Sequence, residues 1–184
     1  MQKILVGAAR VLMFNERRER NFFDLFDLPV SVDVNIDKLE INYKKLQKGL
    51  HPDNFVKATP AEQTSALRIS SQVNDGYKIL KNIETRIEYI LTIKGFSIDD
   101  SVTFKDKGFL MKQLEISDFI ESVSPDNYDK SQIDLFIKEI GKNMHDLILD
   151  IKKLIDANKY SDAYENLSKL KFYKKSIKQL NNVI

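Results

Sequence analysis

Between Ile133 and Leu154, seven apolar residues (Ile133, Ile137, Ile140, Met144, Leu147, Ile151 and Leu154) follow one another at alternating steps of four and three. That spacing puts all of them on one stripe of an α-helix and scatters them over both faces of a strand. The segment is therefore expected to be a long helix, from about Lys130 to Ala157, packed along its length as the seam of a helical bundle. Strong breakers are scarce elsewhere, with six glycines and four prolines in 184 residues, and no alternation of apolar and polar residues lasts long enough to argue for a sheet. The chain reads as all-α.

Helix signals divide the rest. A short helix is predicted at Asn21–Leu28, stopped by Pro29. Asn35 or Asp37 can cap a second, whose apolar residues Leu39, Tyr43, Leu46 and Leu50 fall within about 60° of arc, with Lys38, Lys44, Lys45 and Lys48 on the opposite side. Pro52 disfavours helical geometry at His51, so this helix must end at His51-Pro52-Asp53. Thr59-Pro60 is a cap followed by proline at the first helical position, opening a helix through Ala66, Ile69, Val73, Tyr77 and Leu80. Ile83–Ile93 forms a fourth, closed by Gly95, and Phe96–Lys105 carries no helical stripe. Beyond this linker a helix at about Lys107–Val123, a turn at Ser124–Asn127, the long helix and a last one bearing Ala163, Leu167, Leu170, Ile177 and Leu180 complete a three-helix bundle.

Composition excludes more than it assigns. There are no cysteines and two histidines, which removes disulfide scaffolds, thiol catalysis and cysteine-ligated metal centres, and makes a reducing compartment the expectation. The first twenty residues carry five basic and two acidic side chains, so the remaining chain is close to neutral and is not a nucleic-acid-binding surface by bulk charge. No uncharged apolar stretch is long enough to span a membrane. Phosphate-binding glycine loops are absent, and no serine or cysteine nucleophile pattern accompanies His51 and Asp53. His145 falls one position past Met144, where a partly buried bystander is expected. Neither a catalytic residue, a metal site nor a cofactor is predicted.

What remains is surface. On the helix containing Phe109, the residues Phe109, Ile116, Phe119, Ile120 and Val123 lie within about 100° of arc and can fill the bundle. Leu110, Met111 and Leu114 lie about 100–200° round from Phe109, beside Glu115 and Asp118, so a second apolar patch with an acidic border points away from that core. Phe172 stands about 150° from the centre of the core stripe of its own helix and is expected to be off the core too. Such a patch suits a protein partner; packing between domains is the alternative.

Taken alone, His51-Pro52-Asp53 is a turn that occurs by chance in about one chain in a hundred of this size. Its context is distinctive: Asn21-Phe22-Phe23-Asp24-Leu25-Phe26 precedes it, then Tyr43-Lys44-Lys45-Leu46-Gln47-Lys48, and Val73-Asn74-Asp75-Gly76-Tyr77-Lys78-Ile79-Leu80 follows. This order resembles a J-domain, a helical hairpin whose connecting loop is His-Pro-Asp. Further on, Arg86-Ile87-Glu88-Tyr89-Ile90-Leu91, Gly95-Phe96, Phe109-Leu110-Met111-Lys112-Gln113-Leu114-Glu115 and Leu170-Lys171-Phe172 resemble the HscB family of iron–sulfur co-chaperones, over about residues 21–182.

The resemblance implies a non-enzymatic, cytoplasmic, monomeric protein. It implies an N-terminal J-domain hairpin (21–94) that stimulates the ATPase of the DnaK-type chaperone HscA, a linker (95–106), and a C-terminal three-helix bundle (107–184) that delivers the cluster scaffold IscU. His51, Pro52, Asp53, Lys44, Lys45 and Lys48 would meet the chaperone; Leu110, Met111, Leu114, Glu115, Asp118 and Phe172 would hold the scaffold. Neither nucleic acid nor membrane is a partner. A general J-domain co-chaperone with other clients is the alternative, and a structural adaptor the third class. Departures from the family pattern are Leu50 for tyrosine, Asn54 for lysine, Gly49 near a helix end and Ser122 for an acidic residue, each expected to soften a partner contact. The lack of cysteines implies no zinc-binding extension of the eukaryotic kind. Residues 1–20 match nothing in the family and fit neither a secretory signal nor a transit peptide; a start at Met13 or a small amphipathic helix would account for them.

Overall fold

The architecture is that of a computed structural model describing residues 21–98, 106–124 and 128–183. The N-terminal extension, most of the expected linker and the core of the expected turn at Ser124–Asn127 lie outside the described residues. Seven α-helices are described: α1 Phe22–Leu25, α2 Ile36–Gly49, α3 Pro60–Lys81, α4 Ile83–Ile93, α5 Lys107–Ser122, α6 Lys130–Asp156 and α7 Tyr160–Val183. The chain divides into two compact units between Ile93 and Lys94.

Capping chemistry sets most boundaries. Asn35, not Asp37, caps α2, its side chain accepting from the Lys38 amide at 2.8 Å. Thr59 and Glu62 form a reciprocal capping box around Pro60 at the start of α3. The first helix is shorter than expected. Asp27 takes a left-handed conformation (φ 55°), the Leu28 amide donates back to the Phe23 carbonyl at 2.9 Å, and α1 therefore closes before Pro29 can act as the stop. Asn158 (φ 58°) ends α6 in the same way, with Lys159 donating to the Leu154 carbonyl at 2.8 Å, and the chain turns directly into α7.

In the first unit α2 and α3 form a hairpin packed on Leu39, Leu50, Ala66, Ile69, Val73 and Leu80, all buried. Phe23 and Phe26 of the α1 segment are fully buried, and α1 approaches α3 where Gly76 has no side chain. A Cβ there would lie 2.7 Å from Phe22 Cδ1, so glycine sets the closeness of this crossing. Arg86 of α4 is buried, donating to the carbonyls of Leu80 (2.7 Å), Lys81 (3.2 Å) and Val32 (2.5 Å). Two of these carbonyls belong to the last turn of α3 and have no partner in their own helix, so one guanidinium closes that helix and ties it to the chain entering α2.

In the second unit α6 and α7 pack along their lengths. The seam residues Ile133, Ile140 and Ile151 are buried and the other four half-buried. Phe109, Ile116, Ile140 and Tyr173 form a buried cluster joined by Phe172 and Met144, while Phe119 stacks on Phe136 with centroids 4.2 Å apart.

Candidate functional site

At the end of the α2–α3 hairpin, His51 is extended (φ −60°, ψ 135°), as the following proline requires, and Pro52–Phe55 forms a single 3-10 turn. His51 Nδ1 accepts from the Asp53 amide at 3.3 Å and lies 3.4 Å from Asp53 Oδ2. Both side chains point to solvent, 61% and 84% exposed, so the tripeptide contributes nothing to the core. Its backbone is nevertheless held. Asn54 Nδ2 donates to the carbonyls of Lys48 (2.8 Å) and Gly49 (3.3 Å), and Gln63 Nε2 donates to those of Phe55 (3.0 Å) and Ala58 (3.2 Å). Asn54 thus closes the C-terminus of α2 and anchors the loop to it.

Lys44, Lys45 and Lys48 are all exposed on α2. The opposite side of that helix faces α3, where Tyr43 stacks on Tyr77 with centroids 4.0 Å apart. Tyr43 Oη donates to Asn74 Oδ1 at 2.9 Å, as does Gln47 Nε2 at 2.6 Å. Tyr77 Oη (3.2 Å) and Lys81 Nζ (3.1 Å) both reach Glu40 Oε1. Its bond to Lys81 holds the Glu40 carboxyl below the usual carboxylate range. The lysine ridge therefore sits on a helix whose register against α3 is fixed by directional bonds.

In the second unit Leu110, Met111 and Leu114 are 43%, 61% and 60% exposed, with Glu115 and Asp118 exposed beside them. Lys112 lies between Glu139 on α6 (2.7 Å) and Glu115 (3.3 Å), and its bond to Glu139 holds its ammonium above the ordinary lysine value. Part of the acidic border is therefore already paired. At the start of this helix Asp106 caps α5 by accepting from the Phe109 amide at 3.1 Å and pairs with Lys169 of α7 at 2.9 Å. Lys169 also lies 5.5 Å from the centre of the Phe109 ring. Burial works against the charge on Lys169, and the bonds to Asp106 and Glu165 outweigh it.

Two expectations are corrected. Phe172 is half-buried, edge-on to Phe109 at 5.6 Å and part of the bundle's cluster. Its helix buries Tyr164, Tyr173 and Ser176 besides the expected stripe, because α7 packs against both α5 and α6, and a helix between two neighbours buries more than one stripe. His145 is exposed rather than partly buried, since 100° past Met144 already carries it off the seam. Among the described residues no group of three His, Asp or Glu could hold a metal, and no helix is long and apolar enough to cross a membrane.

Residues 105–181 match the family model described as the HSCB C-terminal oligomerisation domain. A co-chaperone protein HscB homolog from Colwellia psychrerythraea is 35% identical, the match spanning 84% of this chain and 91% of that relative. The chain belongs to the HscB co-chaperone family.

A second HscB homolog, from Shewanella halifaxensis, is 32% identical over 89% of this chain and 96% of its own. Among solved structures, the chaperone HscB from Vibrio cholerae superposes with a TM-score of 0.78 at 28% identity, covering 89% of this chain and 97% of that one. Human co-chaperone HscB gives 0.79 at 22% identity, over 90% and 82%, and attests the fold. Within this HscB framework, Arg86 and Lys169 are the structural residues that pattern reading does not single out. Their charge marks them for solvent, and only helix ends brought close in space give them carbonyl or carboxylate partners.

Proposed function

We propose that this HscB family member is a non-catalytic co-chaperone of iron–sulfur cluster biogenesis, stimulating the ATPase of a DnaK-type chaperone, HscA, and delivering to it the scaffold IscU. The observation that carries this reading is the His51-Pro52-Asp53 loop. Three residues that do nothing for the core are held at the end of a hairpin by Asn54 and Gln63, beside an exposed row of lysines. Lys44, Lys45 and Lys48 steer an acidic chaperone surface onto the hairpin, and the loop then makes the short-range contact. Leu110, Met111 and Leu114, rimmed by Glu115 and Asp118, supply an apolar patch for the scaffold, and Phe172, half-buried against Phe109, offers its remaining exposed part to the same partner. One chain bearing both surfaces raises the local concentration of client at the chaperone. The protein acts as a cytoplasmic monomer.

The test is ATP hydrolysis by HscA with and without the full chain and IscU, alongside an IscU pull-down. Stimulation together with scaffold capture is expected. Stimulation without capture would mark a general J-domain co-chaperone, and capture without stimulation a structural adaptor.

A further inference from the structure

A cavity of about 230 Å3 opens beside the His-Pro-Asp loop, lined by the polar Gln63 and otherwise by Leu50, Pro52, Phe55, Val56, Ala66 and Leu67. Leu50 and Ala66 are buried and form its floor, whereas Val56 and Leu67 stand 73% and 64% exposed at its rim. Single exposed aliphatic residues are ordinary. These two flank one concavity, and Pro52 belongs both to that concavity and to the loop. A dry cavity of about 150 Å3 already accepts benzene, so there is room for a large apolar side chain.

The walls are in place before anything binds. Gln63 ties the Phe55 and Ala58 carbonyls to α3, and Asn54 ties the loop to α2. A preformed apolar slot loses little ordering entropy on binding. The charge around it is chiefly basic: Lys48 and Lys57 are exposed, with Lys44 and Lys45 further along α2. The nearby acids are Glu62, whose carboxylate accepts from the Thr59 amide at 2.8 Å, and Asp53, which lies against His51; both keep their charge and are outnumbered by Lys48, Lys57 and Arg68. The chain's own first twenty residues, with five basic and two acidic side chains, are poorly matched to such a rim.

We propose that this cavity receives an apolar side chain from an acidic segment of the DnaK-type chaperone, so that the loop and the cavity form one continuous contact. The inference rests on the chaperone reading above, and the experiment separates the two. Full-length Val56→Ser, Leu67→Ser and double variants are titrated against HscA, with His51→Gln as control and circular dichroism as the check on folding. Both positions are exposed, so melting should be unchanged; should the double variant not fold, the single variants carry the test. The double variant should raise the concentration for half-maximal stimulation about tenfold or more and leave the plateau intact. Leu67→Met, which keeps the apolar volume, should behave as wild type. An unchanged half-maximal concentration in the folded double variant overturns the proposal. So does a change confined to sedimentation, which would give the cavity to a second copy of the chain. Wild-type protein that fails to stimulate, or full stimulation by His51→Gln, would instead remove the chaperone reading itself.

Discussion

The two units hold their proposed contact surfaces by different means. Between α2 and α3 the Tyr43, Gln47 and Asn74 group and the Glu40, Tyr77 and Lys81 group add directional hydrogen bonds to an apolar core, and Arg86 fastens the far end of α3. Such bonds tolerate little sliding, which fixes the register of the hairpin and so the position of the loop at its tip. The bundle relies chiefly on aliphatic and aromatic packing, joined by a hydrogen bond between the Tyr173 hydroxyl and the Asn143 side chain across α6 and α7. Its buried Ser176 bonds only within α7, and its inter-helix ion pairs, Lys112–Glu139 and Lys169–Asp106, lie at the rim. A loop of one histidine, one proline and one aspartate would act on a partner through exact placement, whereas an apolar patch would need area and shape. Each unit is built to suit the surface it carries.

The sharpest way to break this comparison is to cross the two lesions. His51→Gln should abolish chaperone stimulation and leave scaffold binding and melting unchanged. A combined Leu110→Ala, Met111→Ala, Leu114→Ala protein should stimulate the chaperone alone and weaken scaffold binding about tenfold or more. Its melting should also stay near wild type, because the three side chains are substantially exposed. Adding Phe172→Ala should cost about 2 kcal/mol, less than a fully buried phenylalanine, because only its packing on Phe109 and the bundle is lost. If the triple variant itself unfolds early, or either lesion removes both activities, the separation of surfaces is wrong.

Next in size is Arg86→Met. It removes the donor to the Leu80, Lys81 and Val32 carbonyls within a buried site, and urea unfolding should show a loss of about 3 kcal/mol. A loss below about 1 kcal/mol would show that water or neighbouring groups replace the guanidinium, and that the polar fastening is dispensable.

A smaller effect separates the rim ion pair of the bundle from its cap. The bond to Lys169 holds the Asp106 carboxyl below the usual aspartate range. A carboxyl whose folded pKa is depressed adds stability above its unfolded value, and that stability is lost as pH falls through the folded value. Asparagine caps a helix as well as aspartate does, so Asp106→Asn removes the charge and keeps the cap. Melting of the two proteins should differ at about pH 6 and converge only as pH falls below the usual aspartate range, through the depressed folded value. A constant gap would mean that the pair contributes through shape rather than charge.

The helices were legible because their signals are local. The seam from Ile133 to Leu154, the Thr59-Pro60 cap and the Gly95 stop each depend on a few neighbouring residues, and the start of α3 and the observed ends of α4 to α6 fall within about one residue of the expected ones. Leu110, Met111 and Leu114 were legible for the same reason, since angular phase on one helix is enough to turn them from the core. Phe172 was not, because its burial depends on a second neighbour that phase on α7 cannot register. The cavity beside the loop is similarly nonlocal, joining Leu50, Val56 and Leu67 from three consecutive segments.

The smallest expected effect is a gain, at Gly49. Glycine in a helix costs about 0.5–1 kcal/mol relative to alanine, because the unfolded chain has more conformations to lose. Gly49 is the last residue of α2, and a Cβ built there meets nothing within 4 Å. Its carbonyl, which accepts from Asn54, is unaffected by a methyl group. Being at the helix end, Gly49→Ala should gain toward the lower limit, about 0.5 kcal/mol, or about 2–4 °C in the melting of the first unit. Stimulation of the chaperone should not change, because the added methyl alters neither the loop nor the lysines. A fall in melting temperature would show that the hairpin end is more tightly constrained than Asn54 and the 3-10 turn make it. Lower stimulation at unchanged stability would mean that the partner approaches the backbone at this position, extending the polar contact from the loop onto the last turn of α2.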